Sequence, residues 1–111
     1  RLAMQKTIKS RSDFERVFTQ GRRLSDKLLR MRVVARDDGL PGRVAFVAAK
    51  RLGNAVYRNR CKRVLREAAR AALLPMDGYD VILLATNQTH DSSPERVSCA
   101  VRRLLGKVVE R

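Results

Sequence analysis

With no tryptophan, three phenylalanines and two tyrosines, the chain lacks the aromatic edge of a helix that lies in a membrane interface. No apolar run approaches the roughly 20 residues needed to span a bilayer. Two cysteines, Cys61 and Cys99, make neither a disulfide framework nor a metal set. Both fall on or near the apolar sides of predicted helices, where buried structural thiols are expected. The single histidine, His90, sits in NQTHDSSPE with no Cys or His neighbour to complete a ligand set, and reads as a surface loop residue. No secretory signal pattern opens the chain. Together these absences describe a reduced, cytoplasmic protein and argue against a metalloenzyme. Acid is scarce as well: 11 Asp and Glu stand against 25 Lys and Arg, a formal charge of +14 over 111 residues. Such an excess calls for a polyanion, and with membranes set aside that means nucleic acid. An apolar share of 44% indicates one folded domain with a modest core, not a disordered basic tail.

The charge is concentrated. Residues 50–70, KRLGNAVYRNRCKRVLREAAR, hold eight Lys or Arg against one Glu, a net +7. Drawn as a helix capped by Asn54, the segment places Tyr57, Cys61, Val64, Leu65, Ala68 and Ala72 on one side. Arg58, Lys62, Arg66 and Arg70 climb the other side at i, i+4 steps, with Asn59 and Arg63 beside them. Arg60 lies on the flank near Glu67. Solvated helix faces usually mix signs, because like charges at i, i+4 cost an isolated helix roughly 0.2–0.5 kcal/mol per pair. Almost nothing offsets the repulsion here, so the face reads as one that a nucleic acid neutralises.

The rest of the chain reads as scaffold. Residues 12–20 form a predicted helix, with Ser12 and Glu15 at capping-box spacing, Gly21 as its stop, and Phe14, Val17 and Phe18 as its apolar stripe. Residues 27–36 read as a strand, with Leu29, Met31, Val33 and Ala35 on one face and Leu28, Arg30, Arg32 and Val34 on the other. The segment 37–42, DDGLPG, is a turn, which also accounts for the adjacent Asp37 and Asp38. Residues 43–50, RVAFVAAK, are apolar on both faces until Lys50, as in a central strand. Pro75, Asp77 and Gly78 end the cationic region, and 79–86 form another buried strand. Ser93-Pro94-Glu95 opens a last helix over 94–109, striped with Val97, Val101, Leu104, Leu105 and Val108. The result is a single-domain α+β sandwich, one central sheet with helices packed against it. Neither a carboxylate cluster suited to two-metal chemistry nor a His pair for acid–base work is present.

These residues carry a resemblance. Gly53-Asn54-Ala55-Val56-Tyr57-Arg58-Asn59-Arg60 and Lys62-Arg63, placed after a strand and opening a helix, closely resemble the signature of the bacterial ribonuclease P protein family. Residues 10–23, SRSDFERVFTQGRR, look like that family's opening helix. The order of elements matches from about residue 7 to 111, within one RNA-binding domain over 1–111 that has 1–6 as a flexible lead. The resemblance implies a fold like one found in ribosomal proteins, with a left-handed βαβ crossover against the general rule. It implies the protein subunit of a ribonucleoprotein that removes the 5′ leader from precursor tRNA. Hydrolysis would belong to the RNA subunit with Mg²⁺, with no cofactor and no catalytic residue on this chain.

By residue match, the resemblance assigns Arg58, Asn59, Arg60, Lys62, Arg63 and Arg66 to the RNA subunit, assisted by Lys50, Arg51 and Asn54 at the strand–helix junction. It also implies a cleft between the first helix and the sheet for the single-stranded leader. Phe14 and Phe18 match its aromatic positions, Arg30 and Arg32 face it, and Phe46 or Val47 forms its floor. A base stacked there is worth roughly 1–3 kcal/mol whatever the sequence. Whether the two phenylalanines line the cleft or fill the core stays open. Two positions depart from the family pattern: Arg32 stands where an aromatic is common, and Thr7-Ile8 where Arg-Leu usually precedes the first helix. Three other functions compete. A structural or ribosomal RNA-binding module would use the same helix without distinguishing precursor from mature tRNA. A self-sufficient nuclease would cleave alone. DNA binding is not expected, since no helix-turn-helix spacing is evident.

Overall fold

A computed structural model describes residues 8, 10–36, 39 and 41–109; residues 1–6, expected as a flexible lead, Thr7 and the turn expected at Asp37-Asp38 lie outside the described residues. The first helix, α1, spans Arg11–Gln20. Its cap is Ser10 and not Ser12: the Ser10 hydroxyl accepts from the Asp13 N–H at 3.4 Å, while Glu15 turns to Arg11. Gly21 ends the helix, donating its N–H to the Val17 carbonyl at 2.9 Å. A Cβ at Gly21 would stand 2.4 Å from that carbonyl oxygen and 3.1 Å from the Val33 nitrogen. Only glycine lets the helix end this close to the sheet.

Strand β1, Arg22–Ser25, then pairs antiparallel with β2, Leu29–Ala35. The strand expected over 27–36 is therefore one arm of a hairpin whose other arm, RRLS, shows no usable period by itself. Asp26 makes the turn, its carboxylate accepting from the Leu28 N–H at 3.1 Å. Next come β3, Arg43–Val47, a 3₁₀ turn over Lys50–Leu52, helix α2, Ala55–Ala71, strand β4, Tyr79–Ala85, and helix α3, Pro94–Val109. The sheet runs β1-β2-β4-β3, with β3 parallel to β4 and α2 as the crossover between them.

The position of β3 corrects the sequence expectation: it is an edge strand, and β4 is central. It reads as apolar throughout because both its faces are covered. Val44 and Phe46 join the core under α2 and α3, while Ala45 and Val47 face α1. Its outer edge is partly closed by Ile8, whose N–H donates to the Val44 carbonyl at 3.2 Å. On the larger side, Leu29, Met31, Val81 and Leu83 pack against Cys61, Val64 and Leu65 of α2 and Val97, Val101 and Leu104 of α3. Each full burial of this kind contributes roughly 1.5–3 kcal/mol. Cys61 is buried as expected; Cys99 is exposed, because it falls between the stripe positions Val97 and Val101. Among the described residues no helix is long and apolar enough to cross a membrane.

Candidate nucleic-acid interface

Helix α2 is fixed at its start by a set of local contacts. The Asn54 side-chain oxygen accepts from the Tyr57 N–H at 2.9 Å, so this residue serves the helix as its cap. A Cβ at Gly53 would lie 2.9 Å from the Tyr57 ring, so the chain enters the helix directly over that ring. Tyr57 also stacks with His90, ring centroids 4.1 Å apart and planes 4° from parallel. His90 is thus more than a surface loop residue. Its turn is itself anchored, since Thr89 is buried and donates its hydroxyl to the Leu28 carbonyl.

With Cys61, Val64, Leu65, Ala68 and Ala69 buried, α2 is left with its cations outward. Asn59, Arg60, Arg63, Arg66 and Arg70 are exposed, and Arg58 and Lys62 half-exposed. Arg58 donates Nε to the Gly53 carbonyl at 3.2 Å and Arg60 donates Nε to the His90 carbonyl at 3.1 Å. No cation of α2 forms an ion pair among the described residues. Lys50 and Arg51, also exposed, extend the patch through the 3₁₀ turn.

The opposite face of the sheet is organised around Asp80, which is fully buried. Its carboxylate accepts from Arg43 Nη2 at 2.9 Å, Arg36 Nη1 at 3.0 Å, the Arg43 N–H at 3.1 Å and Arg16 Nη2 at 3.3 Å. Arg43 also reaches Asp13, so the network ties α1 to the sheet. Burial by itself pushes the Asp80 carboxyl up, but the bonds and charges of Arg43 and Arg36 together outweigh it and hold the group below its ordinary range.

Beyond that anchor, α1 packs on the sheet through a second, smaller core. Phe14 and Phe18 stack on one another at 6.1 Å and, half-buried, flank a small core of Ile8, Val17, Ala45 and Ile82. Both pack on that core while staying partly open to solvent. The Arg32 guanidinium lies 4.5 Å over the Phe18 ring, and its Nε donates to the Phe18 carbonyl. Strand register places Arg23 beside Arg32 and Arg30 beside Leu84, which in turn neighbours Val47. Burial, with repulsion from Arg23 and Arg30, pulls the Arg32 guanidinium below its ordinary value. Among the described residues none of these three arginines forms an ion pair, so together they make a cationic strip.

Of Phe46 and Val47, both named for the cleft floor, strand alternation turns Phe46 to the α2 side, where Arg66 lies over its ring at 5.2 Å, and leaves only Val47 on the α1 side. Arg23 was missed because its strand was missed; only the pairing with β2 brings it into line with Arg32.

Comparison with known proteins agrees with this architecture. A family model described as Ribonuclease P matches residues 2–109. The "Ribonuclease P protein component" of Gluconacetobacter diazotrophicus is 35% identical over 102 residues, covering 90% of this chain and 88% of its own. That of Symbiobacterium thermophilum is 41% identical over 86 residues, 76% of this chain and 74% of its own. Among solved structures, the Staphylococcus aureus RNase P protein superposes with a TM-score of 0.75 at 23% identity, covering 94% and 95% of the two chains. The Thermotoga maritima RNase P protein gives 0.66 at 25%, covering 96% and 97%.

Proposed function

Since the chain belongs to the ribonuclease P protein family and is a subunit of that tRNA-processing endoribonuclease, we propose that its two surfaces divide the RNA between them. Helix α2 holds the catalytic RNA subunit, and the α1 cleft takes the 5′ leader of precursor tRNA. The observation that carries the reading is the cationic face of α2, which no acid of the protein neutralises among the described residues. Arg58, Arg60, Lys62, Arg63 and Arg66 engage phosphates there, Asn59 adds a neutral donor and acceptor, and Lys50 and Arg51 extend the contact. In the cleft, a base stacks on the Phe14–Phe18 pair, Leu84 and Val47 form the apolar floor, and Arg23, Arg30 and Arg32 follow the backbone.

In this division the protein supplies binding and the RNA subunit, with Mg²⁺, supplies hydrolysis. Among the described residues no three His, Cys, Asp or Glu side chains stand together as a metal-ligand group, so no metal-dependent step is derived on this chain. The protein acts where tRNA is processed, in the bacterial cytoplasm. The test is precursor-tRNA cleavage at low Mg²⁺ with a bacterial ribonuclease P RNA, the protein, or both. Cleavage by the pair at protein concentrations where neither works alone, with precursor bound more tightly than mature tRNA, is the expected result. Cleavage by the protein alone would replace the reading with a nuclease. Equal affinity for precursor and mature tRNA would leave a structural RNA-binding module.

A further inference from the structure

The C-terminal half of α2 borders a cavity that shares Arg66 with the α2 surface but whose apolar wall neither surface above uses. It has a volume of about 300 Å³ and lies between α2 and the outer strand β3. Val44 and Phe46 form its apolar wall, Arg66 and Arg70 its cationic wall, and Leu74 and Pro75 close it at the corner after the helix. The Arg66 guanidinium sits over the Phe46 ring at 5.2 Å, and neither arginine forms an ion pair among the described residues. Once Arg66 swings off the ring, an aromatic face beside two guanidiniums presents a stacking platform with phosphate donors at its edge.

The corner itself is unusual. Leu73 adopts φ +64°, a conformation that side-chain-bearing residues rarely take, and leaves its side chain 81% exposed. The backbone is held in this form by the Leu73 N–H to the Arg70 carbonyl and the Leu74 N–H to the Ala69 carbonyl. The turn thus sets Leu74 and Pro75 against the cavity while offering an apolar side chain to solvent immediately before them.

We propose that this cavity receives one unpaired nucleotide of the catalytic RNA subunit. Its base takes the Phe46 face, and its phosphates take Arg66 and Arg70. The occupant belongs to the RNA subunit and not to the leader because the cavity opens beside the cationic face of α2, across the sheet from the α1 cleft. In the free protein Arg66 holds the ring face; on binding it moves outward on its exposed stem to the phosphate. The inference rests on the reading of α2 as the RNA-subunit surface, and the experiment separates the two.

The chain has no tryptophan, so F46W places a single indole reporter in the cavity. Ribonuclease P RNA should quench its fluorescence stoichiometrically, and a leader oligonucleotide should not. In parallel, F46L should weaken RNA-subunit binding about 5- to 150-fold, the range expected for one lost stacked base. Its dependence on log salt should stay unchanged, since the lost contact is uncharged, whereas R70A should reduce that slope by about 1. Wild-type melting behaviour in F46L excludes a folding effect. RNA that binds without quenching the indole, or F46L with wild-type affinity, would overturn the cavity assignment while leaving the α2 surface intact. Quenching by the leader oligonucleotide would assign the cavity to substrate and overturn it too. Failure of the wild-type protein to bind the RNA would sink the reading of α2 itself.

Discussion

Whether an arginine has an acid beside it sorts its role in this protein. Arg16, Arg36 and Arg43 converge on Asp80 and hold α1 to the sheet; the arginines of α2 have no such partner among the described residues and are free for RNA. Removing the acid should therefore damage the fold more than the interface. Asp80→Asn is expected to cost about 1–3 kcal/mol, because it removes the buried charge on which the Arg16, Arg36 and Arg43 guanidiniums converge, as chemical denaturation would measure. The sign of the pH dependence follows from the depressed carboxyl. Its contribution is complete above the ordinary aspartate value of about 3.9 and is lost as pH falls through the lower folded value. An acid melt of Asp80→Asn should lack that component; the same acid loss in both proteins would count against the network.

At the scale of elements, α2 has separable stability and binding. Its cap is the Asn54 side chain, so Asn54→Ala should lower stability by about 1 kcal/mol in thermal melts. The Lys62 and Arg63 side chains make no hydrogen bond or ion pair among the described residues. Changing both to Ala should leave melting untouched, weaken RNA-subunit binding, and reduce the salt slope by about 2. Most of α2 was legible in sequence, because a seventeen-residue helix repeats its pattern often enough to fix faces and cap. Helix α3 was equally clear for the same reason. Short elements were not: RRLS becomes β1 only through long-range pairing with β2. The cap of α1 was misplaced because Ser10 and Ser12 both offer a hydroxyl, and only backbone geometry distinguishes them. Strand order was illegible too. An apolar edge strand covered on both faces reads the same as a central one, which is why β3 was misassigned and why Phe46 and Val47 could not be told apart.

Across the whole molecule, the sheet keeps the two surfaces apart. Ile82 and Leu83 are adjacent in sequence yet belong to different cores. Phe18→Ala in the cleft should weaken precursor-tRNA binding about 5- to 150-fold while sparing mature tRNA. Combined with the Lys62 and Arg63 changes, its effect on holoenzyme binding energy should add within about 0.5 kcal/mol; strong coupling would mean the surfaces communicate. The Ile8 hydrogen bond to β3 has a different consequence, for handling and solubility. It acts as a latch on an outer strand whose remaining backbone groups are a template for another chain. A charge of +14 keeps copies apart while they are free, but bound RNA or high salt removes that repulsion. A protein truncated through residue 8 should therefore stay dispersed in dilute buffer and clump when its charge is screened, a contrast light scattering would register.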